Sequence, residues 1–365
     1  MPRTTVGILG GGQLARMLAL AGRPLEVDCR VLDPQAELPA APVATCVAGA
    51  YDDGAALDRF AEGLDVVTYE FENVPVASAE RLARRHPVLP PPAALAVAQD
   101  RLEEKTFFTR LGVDTPAYAA VGSRAELDAA VAKIGLPAVL KTRRLGYDGK
   151  GQIVLRAPGD VAPAWSTMDG APSILEGFVP FDRELSILAV RGRSGEERFY
   201  PLVENHHRDG ILRLSLAPAP ALDPTLQSSA ETISRHVLDA LGYTGVLAIE
   251  LFQVGHRLLA NEMAPRVHNS GHWTIEGAET SQFESHLRAI LGWPLGSTAA
   301  RGFAAMVNLV GTLPDPTAVA AVAGAHLHLY GKTPRPGRKL GHVTVRADDR
   351  AALDAALARV RALAG

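Results

Sequence analysis

Two glutamates, Glu250 and Glu262, flank a tight turn in the stretch GVLAIELFQVGHRLLANEMAPRVHNSGH at 245–272. Both arms alternate in the manner of strands, which predicts an antiparallel pair closed at Val254-Gly255. Val246, Ala248 and Glu250 share a face of the first arm, and Leu258, Ala260 and Glu262 share a face of the second. With the turn centred near His256, the two carboxylates oppose each other. Like charges so placed destabilise a strand pair, so something positive belongs between them. Magnesium fits, because it takes one or two protein carboxylates and completes its shell with water and phosphate oxygens. The plain alternative is a solvated sheet face with two unrelated glutamates. Against it, Arg266, His268, Asn269 and His272 crowd in after Pro265, a composition that suits a polar site better than a core.

A second constellation begins where the strand Ala138-Val139-Leu140-Lys141 delivers Lys141 into Thr142-Arg143-Arg144-Leu145-Gly146-Tyr147-Asp148-Gly149-Lys150-Gly151-Gln152. Glycines let backbone N–H groups approach phosphate oxygens while lysine and arginine balance the charge, so the loop reads as a flexible cover over a polyphosphate. The spacing is not GxxxxGK[ST], which disfavours the P-loop class. Beyond it, Ser173-Ile174-Leu175-Glu176-Gly177-Phe178-Val179 is a strand ending in an acid and a glycine. Glu184 lies between apolar neighbours, where a carboxylate can accept hydrogen bonds from a sugar. Glu204-Asn205-His206-His207 closes another strand. No partner at ligand spacing completes a metal set there, so a nucleotide contact is the better reading of the histidines.

The elements that position these groups belong to an ordinary globular protein. At 365 residues the chain is long enough for two or three subdomains, and 47% hydrophobic with 21% charged residues supplies ample core. A net charge of −3 without a basic stripe offers nothing to nucleic acid. Cys29 and Cys46 lie outside any CxxC, which points to a reducing cytoplasm with neither disulfide nor zinc framework. No leader-like apolar region opens the chain, and no run approaches the length of a membrane span.

From the start, a buried-type strand at 5–9 runs into Gly10-Gly11-Gly12 and a helix from Gln13 to about Ala21. Gly10-x-Gly12-x-x-Ala15, with Asp33 about twenty residues on, satisfies the dinucleotide fingerprint. A nicotinamide-dependent oxidoreductase follows from that alone, yet such a turn can receive any phosphate. Alternation continues through 65–73 and brings Glu70 to the C-terminal end of a strand. His86-Pro87-Val88-Leu89-Pro90-Pro91-Pro92 reads as a stiff, extended boundary. The helix at 100–111 carries Arg101, and a further helix spans 124–134. Beyond Arg301, strands at 303–310, 326–329 and 342–346 surround a loop with Lys332, Arg338 and Lys339. The last helix, 349–364, sets leucines 353, 357 and 363 on one face.

Taken in order, Lys141, the glycine-rich loop, Glu176 to Val179, Glu184, Glu250 and Asn261-Glu262 resemble the ATP-grasp enzymes. Within them, GGGQLARM, YEFENV, GYDGKGQ, EGFVPFDRELS, ENHH, NEMAPRVHNSGHWT and YGKTPRPGRKLGH look like the N5-carboxyaminoimidazole ribonucleotide synthetase family. These matches run from the first glycine turn to residue 342; Leu145, just before GYDGKGQ, is a variation outside the glycine pattern. The resemblance implies an α/β and α+β chain with an ATP-grasp fold: a Rossmann-like domain at 1–95, an ATP-grasp domain at 96–298 and a small C-terminal domain at 299–365.

It also implies roles. ATP is contacted by Arg101, Lys141, Glu176, Gly177, Phe178, Val179, Glu184, His207, Asn261 and Glu262. The loop Gly146, Tyr147, Asp148, Gly149, Lys150, Gly151 and Gln152 closes over its phosphates. Mg²⁺ sits on Glu250 and Glu262. Bicarbonate is the acceptor, giving carboxyphosphate, whose CO₂ is captured by the amine of aminoimidazole ribonucleotide. Arg266, His268 and Asn269 face that chemistry, with Tyr147 and Asp148 reaching it on closure. Gln13, Leu14 and Glu70 contact the ribonucleotide, the glycine turn meets its phosphate or the groups beside it, and Lys332, Arg338 and Lys339 clamp the phosphate. A cytoplasmic homodimer is the implied setting. The nearest rival is a formate-using glycinamide ribonucleotide transformylase of the same superfamily. A dehydrogenase leaves Glu250, Glu262 and the loop unexplained.

Overall fold

The computed structural model describes residues 4–146 and 149–364. Its first sheet is parallel, in the order Thr45–Ala48, Val27–Asp33, Thr4–Leu9, Val66–Tyr69. Val66–Tyr69 is buried at every position, so the alternation expected over 65–73 is not what the strand uses. A parallel strand covered on both faces has no solvent side to alternate toward. The proline-rich segment is not a free linker either. Val88 bridges Val67 in parallel, with Val67 N–H donating to Pro87 O at 2.8 Å and Leu89 N–H to Val67 O at 2.8 Å. The expected boundary at 95/96 falls inside the helix Pro92–Ala98.

The helix Arg101–Arg110 follows, its first turn capped by Asp100, whose carboxylate accepts from Leu102 N–H. Next comes a four-stranded antiparallel sheet in the order Tyr118–Val121, Ser173–Gly177, Ala138–Thr142, Gln152–Leu155. Helices Arg124–Ile134 and Val161–Met168 cover one face through Leu127, Ala130, Ala164 and Met168, packed on Leu140 and Leu175.

The third sheet has nine strands. Arg257–Ala264, Gly245–Val254, Arg183–Arg191, Val203–Arg208, Ile211–Ala217, Phe303–Val310, Lys339–Ala347 and Ala325–Leu329 lie side by side, and Glu197–Phe199 pairs with Arg183–Arg191. Because Phe303–Val310 pairs with Ile211–Ala217, the sheet runs without a break past residue 298. One of its faces buries Leu188, Val190, Val246 and Met306 with Leu14, Leu18, Trp273 and Leu287, joining the first unit to the rest. The last helix, Arg350–Ala364, buries Leu353, Leu357 and Val360, while Leu363 is exposed; Val360 takes the place expected for it.

Candidate active site

The hairpin of Gly245–Val254 and Arg257–Ala264 turns through Gly255 and His256, with Gly255 at φ 59°, a conformation that favours glycine. Pairing is regular from Val254 opposite Arg257 to Leu251 opposite Ala260, and then shifts by one residue, so that Glu250 faces Glu262. Opposition of the two acids is therefore achieved through a bulge. Leu258, Ala260 and Glu262 do not share a face as regular alternation implied; Ala260 joins Leu251 on the apolar side while Glu262 looks into the cleft.

Environment separates the two carboxyls. Burial pushes Glu250 up to about 7, with the charge of Glu262 adding to the effect and His207 opposing it. Burial acts on Glu262 in the same direction, but Arg101, hydrogen-bonded to Oε2 at 2.9 Å, and Lys141 outweigh it and hold Glu262 down to about 2. Near neutrality and without a cation, Glu250 is thus partly protonated while Glu262 is ionised, the usual divergence of carboxylates that share a site. Beside it, Asn261 Oδ1 is buried without a partner. Two carboxylate groups and an amide oxygen are hard donors, and they fit a divalent cation such as magnesium.

Toward the other end of the cleft, Lys141 Nζ lies 2.9 Å from Glu176 Oε2. Burial works against the Glu176 charge, but Lys105 and Lys141 prevail and hold its carboxyl below the usual range. Glu176 Oε1 is buried with no partner, an acceptor left for a ligand donor. Phe178 is exposed on the wall, and Phe181 stacks on Phe252 at 4.8 Å. Glu184 lies 2.6 Å from His207 Nδ1; burial disfavours the imidazolium, yet Glu184, Glu250 and Glu262 together raise the His207 pKa.

The glycine-rich loop is anchored at its base. Arg143 binds the capping residue Asp100 through two hydrogen bonds of 2.9 and 2.8 Å, and Thr142 N–H donates to Gly151 O at 2.8 Å. Farther along, a Cβ on Gly149 would stand 2.9 Å from Gly210 Cα, so loop and facing turn meet backbone to backbone. Tyr147 and Asp148 lie outside the described residues.

The first glycine turn is already occupied. Glu70 accepts from the backbone N–H groups of Gly12 and Ala15, and Asp33 accepts from Gly11 N–H at 2.9 Å and from Tyr51 OH at 3.0 Å. These are the donors a dinucleotide pyrophosphate would need, and a phosphate expected at this turn would have to displace the protein's own carboxylates. The dehydrogenase reading and the phosphate placement at the turn both fail on this point. A cationic group lies opposite, where Lys332 donates to the Gln13 side chain. Burial lowers the Lys332 pKa to about 8, with Glu70 opposing and Arg338, Lys339 and Arg335 adding to the fall.

After the hairpin, Arg266 grips Glu72 Oε2 through Nη2 and Nε, at 2.5 and 2.6 Å. His268 Nε2 lies 3.5 Å from Glu250 Oε1. Burial, then Arg266 and Lys339, lower the His268 pKa to about 3, so the ring is neutral. Its Nδ1 accepts the Ser270 N–H at 3.3 Å, which leaves the ring proton on Nε2. Asn269 and Asn308 exchange amide hydrogen bonds of 3.1 and 2.7 Å. His272, expected among the polar residues of the site, is instead buried against Phe283 and His342.

These groups line one cleft of about 1360 Å³. Pockets for drug-sized ligands measure roughly 300–1,000 Å³, so this volume suits more than one substrate. Among the described candidate residues, Gly151 and His272 are not on its wall. Glu72, Glu104, Arg335 and the buried Lys105 and Gln282 were not anticipated. Glu72 stands two residues after Glu70 in YEFENV, and Lys105 one helical turn after Arg101, so spacing carried a signal for both. Gln282 bonds both His268 N–H (2.8 Å) and His268 O (2.7 Å), from a place on a distant helix that no local pattern reveals.

The chain matches the ribonucleotide synthetase preATP-grasp domain over residues 3–99, the ATP-grasp domain over 106–283, and the phosphoribosylaminoimidazole carboxylase C-terminal domain over 304–356. It is 54% identical over 358 residues to the N5-carboxyaminoimidazole ribonucleotide synthase of Pseudomonas aeruginosa, covering 98% of this chain and 99% of that one. The crystal structure of N5-carboxyaminoimidazole ribonucleotide synthetase from Thermus thermophilus superposes with a TM-score of 0.95 at 59% identity, over 99% of this chain and 98% of the other. The synthase of Aspergillus clavatus, solved with ADP and 5-aminoimidazole ribonucleotide, gives a TM-score of 0.91 at 30% identity, over 100% and 98% of the chains.

The raised pKa of Glu250 sets a pH dependence. A carboxyl whose native pKa exceeds its ordinary value contributes stability at low pH that is lost as pH rises through the native value, here about 7. A cation must displace that proton, so Mg²⁺ affinity should rise roughly tenfold from pH 6 to pH 8, and the increase in Tm on adding Mg²⁺ should be larger at pH 8. Equal Mg²⁺ titrations at the two pH values would contradict the assignment of the proton to this pair.

Proposed function

The chain belongs to the N5-carboxyaminoimidazole ribonucleotide synthetase family of ATP-grasp enzymes, and on that footing we propose how its residues divide the reaction. The protein is an ATP-dependent ligase that carboxylates 5-aminoimidazole ribonucleotide in purine biosynthesis. In our reading bicarbonate is the carbon source. It attacks the γ-phosphorus of ATP to give carboxyphosphate and ADP; carboxyphosphate breaks down to phosphate and CO₂, and the exocyclic amine of the ribonucleotide captures CO₂ and releases a proton. The observation that carries the proposal is one cleft with a cationic end at Lys332, Arg338 and Lys339, opposed acids at its centre and the Lys141–Glu176 pair at its other end.

Adenine and ribose lie along Glu176, Gly177, Phe178, Val179, Glu184 and His207, with the unpartnered Glu176 Oε1 available to a donor on the base. Arg101 and Lys141 neutralise phosphate charge, aided by the loop Gly146 to Gln152. Glu250, Glu262 and Asn261 would hold Mg²⁺, which would offset charge on the transferring phosphoryl group. Neutral His268 offers an N–H from Nε2, and so acts toward a carboxyl oxygen as a hydrogen-bond donor and not as a base. Arg266, held by Glu72, supplies positive charge beside it, and Asn269 is oriented by Asn308. Gln13, Leu14 and Glu70 border the aminoimidazole, and Lys332, Arg338 and Lys339 receive its phosphate. Tyr147 and Asp148 complete the site on loop closure, which keeps water from carboxyphosphate. Asp148 takes the proton from the amine.

A cytoplasmic homodimer is part of the proposal, the dimer being open to test by sedimentation. Among the described residues, no helix is long and apolar enough to cross a membrane.

ADP release from ATP, Mg²⁺ and bicarbonate should rise strongly on adding aminoimidazole ribonucleotide, with labelled bicarbonate entering an acid-labile product. Stimulation instead by glycinamide ribonucleotide and formate would move the enzyme to its transformylase relative. Lys332→Met should raise the KM for the ribonucleotide about 10- to 100-fold, the weight of one or two charged hydrogen bonds, and leave the KM for ATP within about twofold. Equal effects on both KM values would remove Lys332 from the phosphate site. An Asp148→Asn enzyme should lose most of its turnover; normal turnover would end that assignment.

A further inference from the structure

Register around the opposed acids leaves a question of mechanics. Continued regularly from Leu251 opposite Ala260, the ladder would set Asn261 against Glu250 and Glu262 against Ile249, on the apolar face. A slip of one residue sends every later side chain to the opposite face. The extra residue at the bulge prevents this: Met263, not Glu262, faces Ile249, and Glu262 meets Glu250.

A bulge disrupts the ladder locally and leaves backbone groups to be satisfied elsewhere. Here the neighbouring helix satisfies them. Lys105 Nζ donates to Asn261 O and lies 3.4 Å from Ala260 O. Glu104 Oε1 accepts Met263 N–H at 2.7 Å. Arg101, one turn earlier on the same face, holds the Glu262 side chain at 2.9 Å. Lys105 and Glu104 are 1% and 2% exposed, and a pair of polar side chains buried so deep is costly in desolvation compared with two apolar residues. What it supplies is a fixed set of partners for residues 260–263.

We propose that Glu104 and Lys105 are positioning residues that lock the bulge, and through it the facing of Glu250 and Glu262, so that they set divalent-cation affinity without touching the ion. This rests on reading the two glutamates as the Mg²⁺ site. Lys105 Nζ is also 3.6 Å from Glu176 Oε2, but Lys141 holds that oxygen at 2.9 Å, so Glu176 keeps a cation when Lys105 is replaced.

The test compares Lys105→Met, Glu104→Leu and Glu104→Gln in the full chain with a non-hydrolysable ATP analogue. Mn²⁺ binding by electron paramagnetic resonance and amide exchange over 259–263 are the readouts, neither of which depends on turnover. Lys105→Met and Glu104→Leu should weaken Mn²⁺ about 10- to 100-fold, the usual effect of losing a group that orients a metal ligand. Both should speed exchange over 259–263, while affinity for the analogue without metal stays within about twofold. Glu104→Gln, whose amide oxygen still accepts Met263 N–H, should remain close to wild type. Should Lys105→Met not fold, the contrast between the two Glu104 variants decides the matter. Folded variants with wild-type Mn²⁺ affinity and exchange would overturn the proposal. Unaltered Mn²⁺ binding in Glu250→Gln would instead overturn the metal reading beneath it.

Discussion

Two carboxylates forced to face each other are the constraint around which the cleft is organised. In a plain strand pair their repulsion would be relieved by rotation or by a shift of register. Here neither is open: the apolar face of the hairpin is committed to the core through Leu251, Ala260, Ile249 and Met263, and Arg101 fixes Glu262 from outside. The repulsion persists, and it helps burial to raise the pKa of Glu250 while Arg101 and Lys141 keep Glu262 ionised. An arrangement of this kind, with hard oxygen donors fixed in place, is the one on which the proposed Mg²⁺ site rests.

Charge is also sorted along the cleft. Lys332, Arg335, Arg338 and Lys339 reach its wall from the C-terminal part of the chain, while Lys141 pairs with Glu176 and Arg101 with Glu262. Burial keeps these fields strong, which is why Lys332 and His268 are both pushed toward neutrality. At the glycine turn the protein satisfies the helix N-terminus with Glu70, so a motif that elsewhere draws a dinucleotide is closed to one here. The same peptide geometry thus yields a wall of the cleft.

Much of this was legible in the sequence, because it is written in short-range patterns. Alternation around Val254-Gly255 gave the hairpin, and the glycines and cations of 142–152 marked a segment whose described residues line the cleft. What escaped depends on partners remote in the chain. Alternation could not show that Ala260 and Glu262 part company, because a bulge depends on what grips the backbone, and the gripping residues lie some 155 positions away. His272 read as polar because its neighbours are, whereas rings from a helix and a distant strand, Phe283 and His342, pack against it. The prolines at 87–92 read as a spacer because proline cannot donate; the remaining N–H and C=O groups were still free to add an edge to the first sheet. The break expected at 298/299 followed a change of motif, to which the hydrogen bonds of the nine-stranded sheet are indifferent.

The close approach of Gly149 to Gly210 bears on what this stretch of chain can tolerate. Gly149 has a φ of 76°, and a methyl group added to it would stand 2.9 Å from Gly210 Cα and 3.1 Å from Asp209 O. An alanine here would therefore meet a strained backbone and an unyielding neighbour together, because what it strikes is main chain and not the end of a flexible side chain. Only by lifting residues 149–151 off the facing turn could the chain make room.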